Sequence, residues 1–402
     1  MKIVLKFNYL MKQAPIKLLL ILVLVFSNAN AQSIIWGTNN YIEYQVGTLP
    51  LVISVPHGGN MEPSSIPDRT CNNPVYAVDA FTIETAMAIK SRLFAVTGCY
   101  PHIIISHLKR NKLDPNRNMA DGACGNPEAN LAWTEFQNFI AEAQNTANQQ
   151  FNSKTFFVDL HGHGNPIQRI ELGYLLYDDE LELPDNTLNS LQYINYSSIK
   201  NLALNNANNY THTQLLRGPN AFGTLLANNS FPAVPSQSIP FPGTTSNYYS
   251  GGYITANHTC YNPAASINGL QMELNFSNIR DTPANRNAFA NSFTQAVITY
   301  MNIHFNVNWN TCNVLSTIDD HKEITFAVYP NPVSRGNPIH FVFNENTQYD
   351  YHLFNSLGQL VANGLLKLDE TLDTGKLSTG IYLIRISSKN NTVQLNTKII
   401  IK

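Results

Sequence analysis

Two short apolar runs in this chain each stop at a histidine set among glycines. Leu49-Pro50-Leu51-Val52-Ile53-Ser54-Val55 runs straight into Pro56-His57-Gly58-Gly59, and Thr155-Phe156-Phe157-Val158-Asp159-Leu160 runs into His161-Gly162-His163-Gly164. Runs of this length bounded by glycine read as buried strands. Between and after them the apolar period changes from two to about 3.6. Asp79–Val96 repeats Phe81, Ile83, Ala86, Met87, Ile89, Leu93 and Phe94 at helical spacing, and Ala129–Phe151 and Ala284–Phe305 read as further helices. His102–Ser106 and Leu270–Leu274 add two more strands. Strands alternating with helices predict an α/β domain with a mainly parallel sheet. Ligands of such sheets gather at the carboxyl ends of the strands, where His57, Arg110, His161 and Glu273 fall.

Two histidines after two buried strands, with carboxylates nearby, suit a metal hydrolase. Such a site needs three protein ligands, an open position, and a proton-transfer group outside the ligand set. Asp159 lies two residues before His161, so on a strand it shares a face with that imidazole and can orient it. In Leu270-Gln271-Met272-Glu273-Leu274, alternation sets Gln271 and Glu273 opposite Met272 and Leu274. If the apolar pair faces the core, Glu273 faces the cleft. His163 stands as an alternative ligand or substrate contact. Glu84, read from the residues alone, is a first-turn helix carboxylate favoured by the dipole. The glycines after His57 leave room for close approach to a metal.

Export is written at the start of the chain. Lys12 and Lys17 precede the apolar run Leu18–Phe26, and Ala29-Asn30-Ala31 supplies small residues before Gln32. That is the pattern of a secretory signal peptide over residues 1–31, too short to span a bilayer. No later stretch reaches the length of a transmembrane span. Charged residues are only 13% of the chain and the net charge is −2, which excludes a polycation built for nucleic acid. Hydrophobic residues at 44% exclude global disorder. The five cysteines form no CxxC pair, so a cysteine zinc site is not expected. In an oxidising compartment they allow up to two disulfides and one odd thiol.

Around Asn308–Thr325 the apolar periodicity stops, and residues 313–325 read as a linker. Short alternating strands separated by turns follow, predicting a small antiparallel β-sandwich over residues 326–402. Tyr329-Pro330-Asn331-Pro332, the segment Leu353–Val361 (LFNSLGQLV) and the segment Leu377–Ile386 (LSTGIYLIRI) resemble the C-terminal sorting domain of type IX secretion substrates in Bacteroidetes. That resemblance implies passage through the periplasm to the cell surface or beyond, and the type IX machinery as a partner.

The segment 32–312 carries its own resemblance. Its motifs are Pro56–Gly59 (PHGG), Glu84 through Ile103–Arg110 (IIISHLKR), Val158–Gly164 (VDLHGHG) and Leu270–Asp281 (LQMELNFSNIRD). In that order they resemble the N-formylglutamate amidohydrolase family. The order is also similar to zinc-dependent N-acetylmuramoyl-L-alanine amidases, and both families are similar in fold to zinc carboxypeptidases. The resemblance implies Zn2+ held by His57, Glu84 and His161, with Glu273 as general base and acid. Asp79 stands beside Glu84 as a candidate third ligand. It further implies that Asn116 and Arg117 grip a substrate carboxylate, with Arg110 assisting. The expected activity is hydrolysis of an amide in an N-acyl amino acid or related small molecule. The alternatives are cleavage of a peptidoglycan-derived substrate, or a non-catalytic surface binding protein on the same fold.

Overall fold

The computed structural model describes residues 32–243, 247–307, 309, 326–343, 348–356, 358–366, 371–388 and 394–402. The expected signal peptide and linker lie outside them. The chain divides into two compact units, one to Val314 and one from Leu315.

The first unit is built on eight strands: β1 (Ile34–Trp36), β2 (Ile42–Gln45), β3 (Leu51–Val55), β4 (His102–Ser106), β5 (Phe156–His163), β6 (Ile170–Gly173), β7 (Ala233–Val234) and β8 (Asn268–Asn275). They lie in the order β1-β2-β4-β3-β5-β8-β6-β7. The central four, β4-β3-β5-β8, are parallel, as the alternation with helices predicts. Antiparallel partners extend them on both sides, β2 against β4 and β6 against β8. These flanking strands carry no crossover helix, so the βαβ pattern does not announce them.

Three helices cover the two faces: α1 (Thr82–Thr97), α2 (Pro127–Phe151) and α3 (Pro283–Phe305). Pro in the first turn opens both α2 and α3, after Asn126 and Thr282, whose side chains accept from backbone N–H groups of that turn. Pleat alternation sorts the strands cleanly between the faces. Ile53, Val55, Val158, Leu160, Met272 and Leu274 pack into one core with α1 and α3. Val52, Ile104 and Phe157 point the other way, into a second core under α2. Burying each of these side chains fully stabilises the fold by about 1.5–3 kcal/mol before entropy is counted. The second face is apolar only along its amino-terminal half. Towards the carboxyl ends it becomes Ser54, Asp159, His161, Gln271 and Glu273, and α2 leaves that end open to a cleft.

Helix α1 begins later than the periodicity suggests. Phe81 adopts a left-handed backbone, φ 64°, and breaks the helix just before Thr82, which leaves Asp79 in the preceding loop. Packing requires the glycines after His57. A Cβ on Gly58 would fall 2.6 Å from Thr82 Oγ1, and one on Gly59 would fall 2.3 Å from the His107 carbonyl carbon. They let the strand end pass between α1 and the loop after β4.

Cys71 and Cys124 form a disulfide across 53 residues, Cys99 is also disulfide-bonded, and the odd thiol is the buried Cys260. No helix of the described residues is long and apolar enough to cross a membrane.

The second unit holds two small antiparallel sheets, β9 (Phe326–Tyr329), β10 (Ile339–Phe343) and β13 (Thr371–Leu372) in one, β11 (Tyr349–Asn355), β12 (Leu360–Leu366), β14 (Gly380–Ser388) and β15 (Gln394–Ile401) in the other. Ile339 and Phe341 from the first meet Leu353, Ile384 and Ile399 from the second in a single core.

Candidate metal centre and cleft

His57 follows β3 and His161 lies within β5, and both imidazoles are buried. Each is held from behind by a carboxylate. His57 Nε2 donates to Asp114 Oδ1 at 2.7 Å, and His161 Nε2 donates to Asp159 Oδ2 at 3.0 Å. Carboxylates only accept, so in a neutral ring the proton sits on Nε2 and the Nδ1 lone pair is free. Asp159 is fixed in turn by Ser54 Oγ, which donates to its Oδ1 at 2.7 Å. Carboxylate-backed histidines of this kind orient metal ligands.

The two Nδ1 atoms point at each other across 3.1 Å. Asp79 Oδ2 completes a triangle with them, 3.2 Å from His161 Nδ1 and 3.4 Å from His57 Nδ1. Three acceptors therefore converge with no donor of their own between them, a grouping with metal-ligand geometry. Ligands about 2.0–2.1 Å from a tetrahedral zinc stand roughly 3.3–3.4 Å apart, so the triangle has the dimensions of one face of such a shell. A proton or a cation must sit among these groups. The electrostatics point the same way. Burial opposes a charged His161, yet Asp159, Asp79 and Glu273 outweigh it and raise its pKa well above the ordinary value. Burial likewise opposes ionisation of Asp79, but His57 and His161 overcome it and hold the carboxyl well below the usual range.

Asp79, not Glu84, is the carboxylate brought to the imidazoles. Its backbone N–H donates to the His57 carbonyl at 3.1 Å, and its Oδ2 also accepts from Gly162 N at 3.1 Å. Glu84 is exposed, because the helix turns Thr82, Thr85, Ala86 and Ile89 inward and leaves position 84 on the solvent side. His163 has no free nitrogen to offer. Its Nε2 donates to the Arg169 carbonyl at 2.8 Å and its Nδ1 accepts from Asn165 N at 3.1 Å.

Glu273 faces His161 across the β5–β8 ladder, with Oε1 4.0 Å from His161 Nδ1. Met272 and Leu274 are in the core, and Gln271 Nε2 donates to Glu273 Oε1 at 3.0 Å. Burial pushes the Glu273 carboxyl up to about 8, with His161 and Arg110 opposing the rise and Asp79 and Asp159 adding to it. These groups line one end of a cleft of about 290 Å³, bounded otherwise by Arg110, Asn116 and the Tyr248–Gly252 loop.

Asp114 is the group that sequence reasoning missed. It is fully buried and gathers the turn between β4 and α2 around itself. Besides His57, it accepts from Arg110 Nε at 3.1 Å and from Asn116 N at 3.1 Å, with Arg117 Nε at 3.5 Å and Arg69 Nη2 at 3.6 Å. Burial opposes its ionisation, and His57, Arg110 and Arg69 more than compensate, holding it well below the usual carboxylate range. Its signal lies in Leu113-Asp114-Pro115-Asn116-Arg117, just before the expected substrate pair Asn116 and Arg117. Of those, Asn116 reaches the cleft, and its Oδ1 accepts from Ile254 N at 2.8 Å. Arg117 turns away, donating to the Asn72 carbonyl at 3.0 Å. Arg110 is the arginine that lines the cleft, reaching from Asp114 to within 3.7 Å of Asp79 Oδ1.

No curated protein matches the chain at a significant level. Among solved structures, one match is to PorZ of Porphyromonas gingivalis, described as an essential bacterial surface component of the type IX secretion system. It is 12% identical over 19% of this chain and 11% of that one, with a TM-score of 0.17. Residues 327–402 match the family model described as the secretion system C-terminal sorting domain. The chain thus ends in a type IX sorting domain and is a secreted or cell-surface protein, carrying a buried His-Asp-His group in an α/β unit ahead of that domain.

Proposed function

We propose that the α/β unit is a metal-dependent amidohydrolase acting on a small carboxylate-bearing amide such as an N-acyl amino acid. The observation that carries this reading is the convergence of His57 Nδ1, His161 Nδ1 and Asp79 Oδ2, with both imidazoles backed by buried carboxylates. Two imidazoles and one carboxylate with a fourth side open to the cleft are a donor set that suits catalytic zinc. Zinc in such a site supplies Lewis acidity toward the scissile carbonyl and acidifies water. Glu273 then moves the proton, taking it from water and returning it to the leaving nitrogen. Its raised pKa favours the acid half of that cycle, and a cation beside it favours the base half. Arg110 and Asn116 offer donors to the substrate carboxylate from the cleft wall. The resemblance of the motif order to N-formylglutamate amidohydrolases supports the roles of His57, His161, Glu273 and Asn116. The cleft volume lies at the small end for ligand pockets, which favours a small substrate over polymeric peptidoglycan.

Metal analysis of the purified chain tests this. About one zinc per chain is expected, since three protein ligands make one site. His57→Ala, Asp79→Ala and His161→Ala each lose it, and Glu84→Ala keeps it. A protein that holds no metal after gentle purification, and takes up none on addition, defeats the enzyme reading. Loss by Glu84→Ala with retention by Asp79→Ala returns the third position to Glu84.

A further inference from the structure

A second groove, of about 540 Å³, shares the ridge Ser250-Gly251-Gly252 with the cleft. Its lining also includes Tyr177, Tyr196, Tyr253 and Tyr261. Three of these rings are open to solvent: Tyr177 is 63% exposed, Tyr196 45% and Tyr261 42%. Large exposed aromatics clustered on one groove mark a binding surface.

The ridge itself is low and firmly held. Gly251 adopts φ 128°, and a Cβ there would lie 2.7 Å from Leu175 Cδ2; a Cβ on Gly252 would lie 2.4 Å from Asn116 Nδ2. Leu175 is left-handed, φ 66°, and its N–H donates to the Ser250 carbonyl at 2.6 Å. A branched residue held in that region is strained, and such strain collects at binding sites. Two glycines at the crest leave no side chain standing between the cleft and the groove.

We infer that this groove is a subsite for a neutral sugar ring carried by the substrate. The inference rests on the hydrolase reading for the cleft and names what the neighbouring groove adds. The chemistry of the lining selects the ligand. No lysine, arginine or histidine lines the groove among the described residues, so an anionic group finds no partner there. Tyrosine presents a ring face with negative potential to the polarised C–H bonds of a pyranose, and a hydroxyl to its O–H groups. Glu180 adds a carboxylate acceptor at the rim.

Calorimetric titration of the full chain with maltotriose and with triacetylchitotriose tests this without requiring turnover. Saturable binding of at least one trisaccharide is expected, weakened about 3–10-fold by Tyr177→Ala or Tyr261→Ala, the range for losing one aromatic contact. Asp79→Ala leaves the sugar affinity unchanged, so failure of the metal site and failure of the groove are distinguishable. Both tyrosines are exposed, and an unchanged melting temperature checks that the variants fold. No saturable binding of either sugar, or equal binding by the Tyr177→Ala/Tyr261→Ala double variant, overturns the inference. Tighter binding of a neutral tripeptide than of both sugars overturns it in favour of a peptide.

Discussion

Asp114→Asn separates the carboxylate behind His57 from the metal-facing atoms. The replacement keeps size and shape but removes the charge that Arg110, Arg69 and the His57 Nε2–H all face. Asn also brings an NH2 group, a donor turned towards donors. Deleting one partner of a buried ion pair costs about 3–5 kcal/mol, because the remaining charges stay buried without compensation. For a domain of this size that corresponds to a melting temperature lower by roughly 6–20 °C. Losing the orienting carboxylate of a metal-binding histidine lowers metal affinity by about 10–100-fold. Thermal denaturation with and without zinc, followed by a competitive metal titration, reads both effects.

The pH dependence supplies a further check on the cause. Asp114 has a folded pKa depressed below the ordinary value of 3.8, so its stabilisation is present above that pH and is lost progressively as the pH falls below it. The gap between wild type and Asp114→Asn is therefore full at neutral pH and narrows in acid. A melting temperature within about 2 °C of wild type, equivalent to under one kcal/mol, with unchanged metal affinity would refute the anchoring role assigned to Asp114.

Glu273→Gln is expected to keep the metal and lower turnover per bound zinc by about 10²–10⁴, the usual range for acid–base catalysis, and near-normal turnover would sink the catalytic assignment. In metal-free protein the raised Glu273 pKa gives stability that is fully present below the ordinary value of 4.5 and is lost as the pH rises to about 8; the variant should lack that part of the decline. Removing Phe326–Lys402 should leave the α/β unit folded, as measured by its own melting transition, because its cores lie within residues ahead of Val314. The same truncation should strand the protein in the periplasm, and its arrival at the cell surface would contradict the sorting role.

The histidines and Glu273 were legible in the sequence because each sits on or just after a strand, where alternation alone decides the face. Met272 and Leu274 enter the core, so Glu273 has only the cleft to face. The third carboxylate was not legible in the same way. Periodicity extends the helix back through Asp79, and only the left-handed turn at Phe81 releases Asp79 towards His57. Such a turn at a phenylalanine is set by tertiary packing and has no local signal. Asp114 lies in an irregular turn whose partners come from residues 57, 69, 110 and 117, and no spacing rule links those positions. The flanking strands escaped for a related reason. β6 and β7 are only four and two residues long, and what holds them is pairing with β8 and with each other.

His161 and Glu273 occupy the same rung of neighbouring parallel strands. Adjacent strands stand about 4.8 Å apart whatever their side chains, so the distance from His161 to Glu273 is a property of the backbone ladder. The ridge and the tyrosine groove belong instead to the connection between β5 and β8, which runs over residues 164–267. Inheritance can therefore treat the two separately. Insertions and exchanges in that connection can retarget the unit to a new ligand while the gauge that spaces His161 from Glu273 is passed on unaltered.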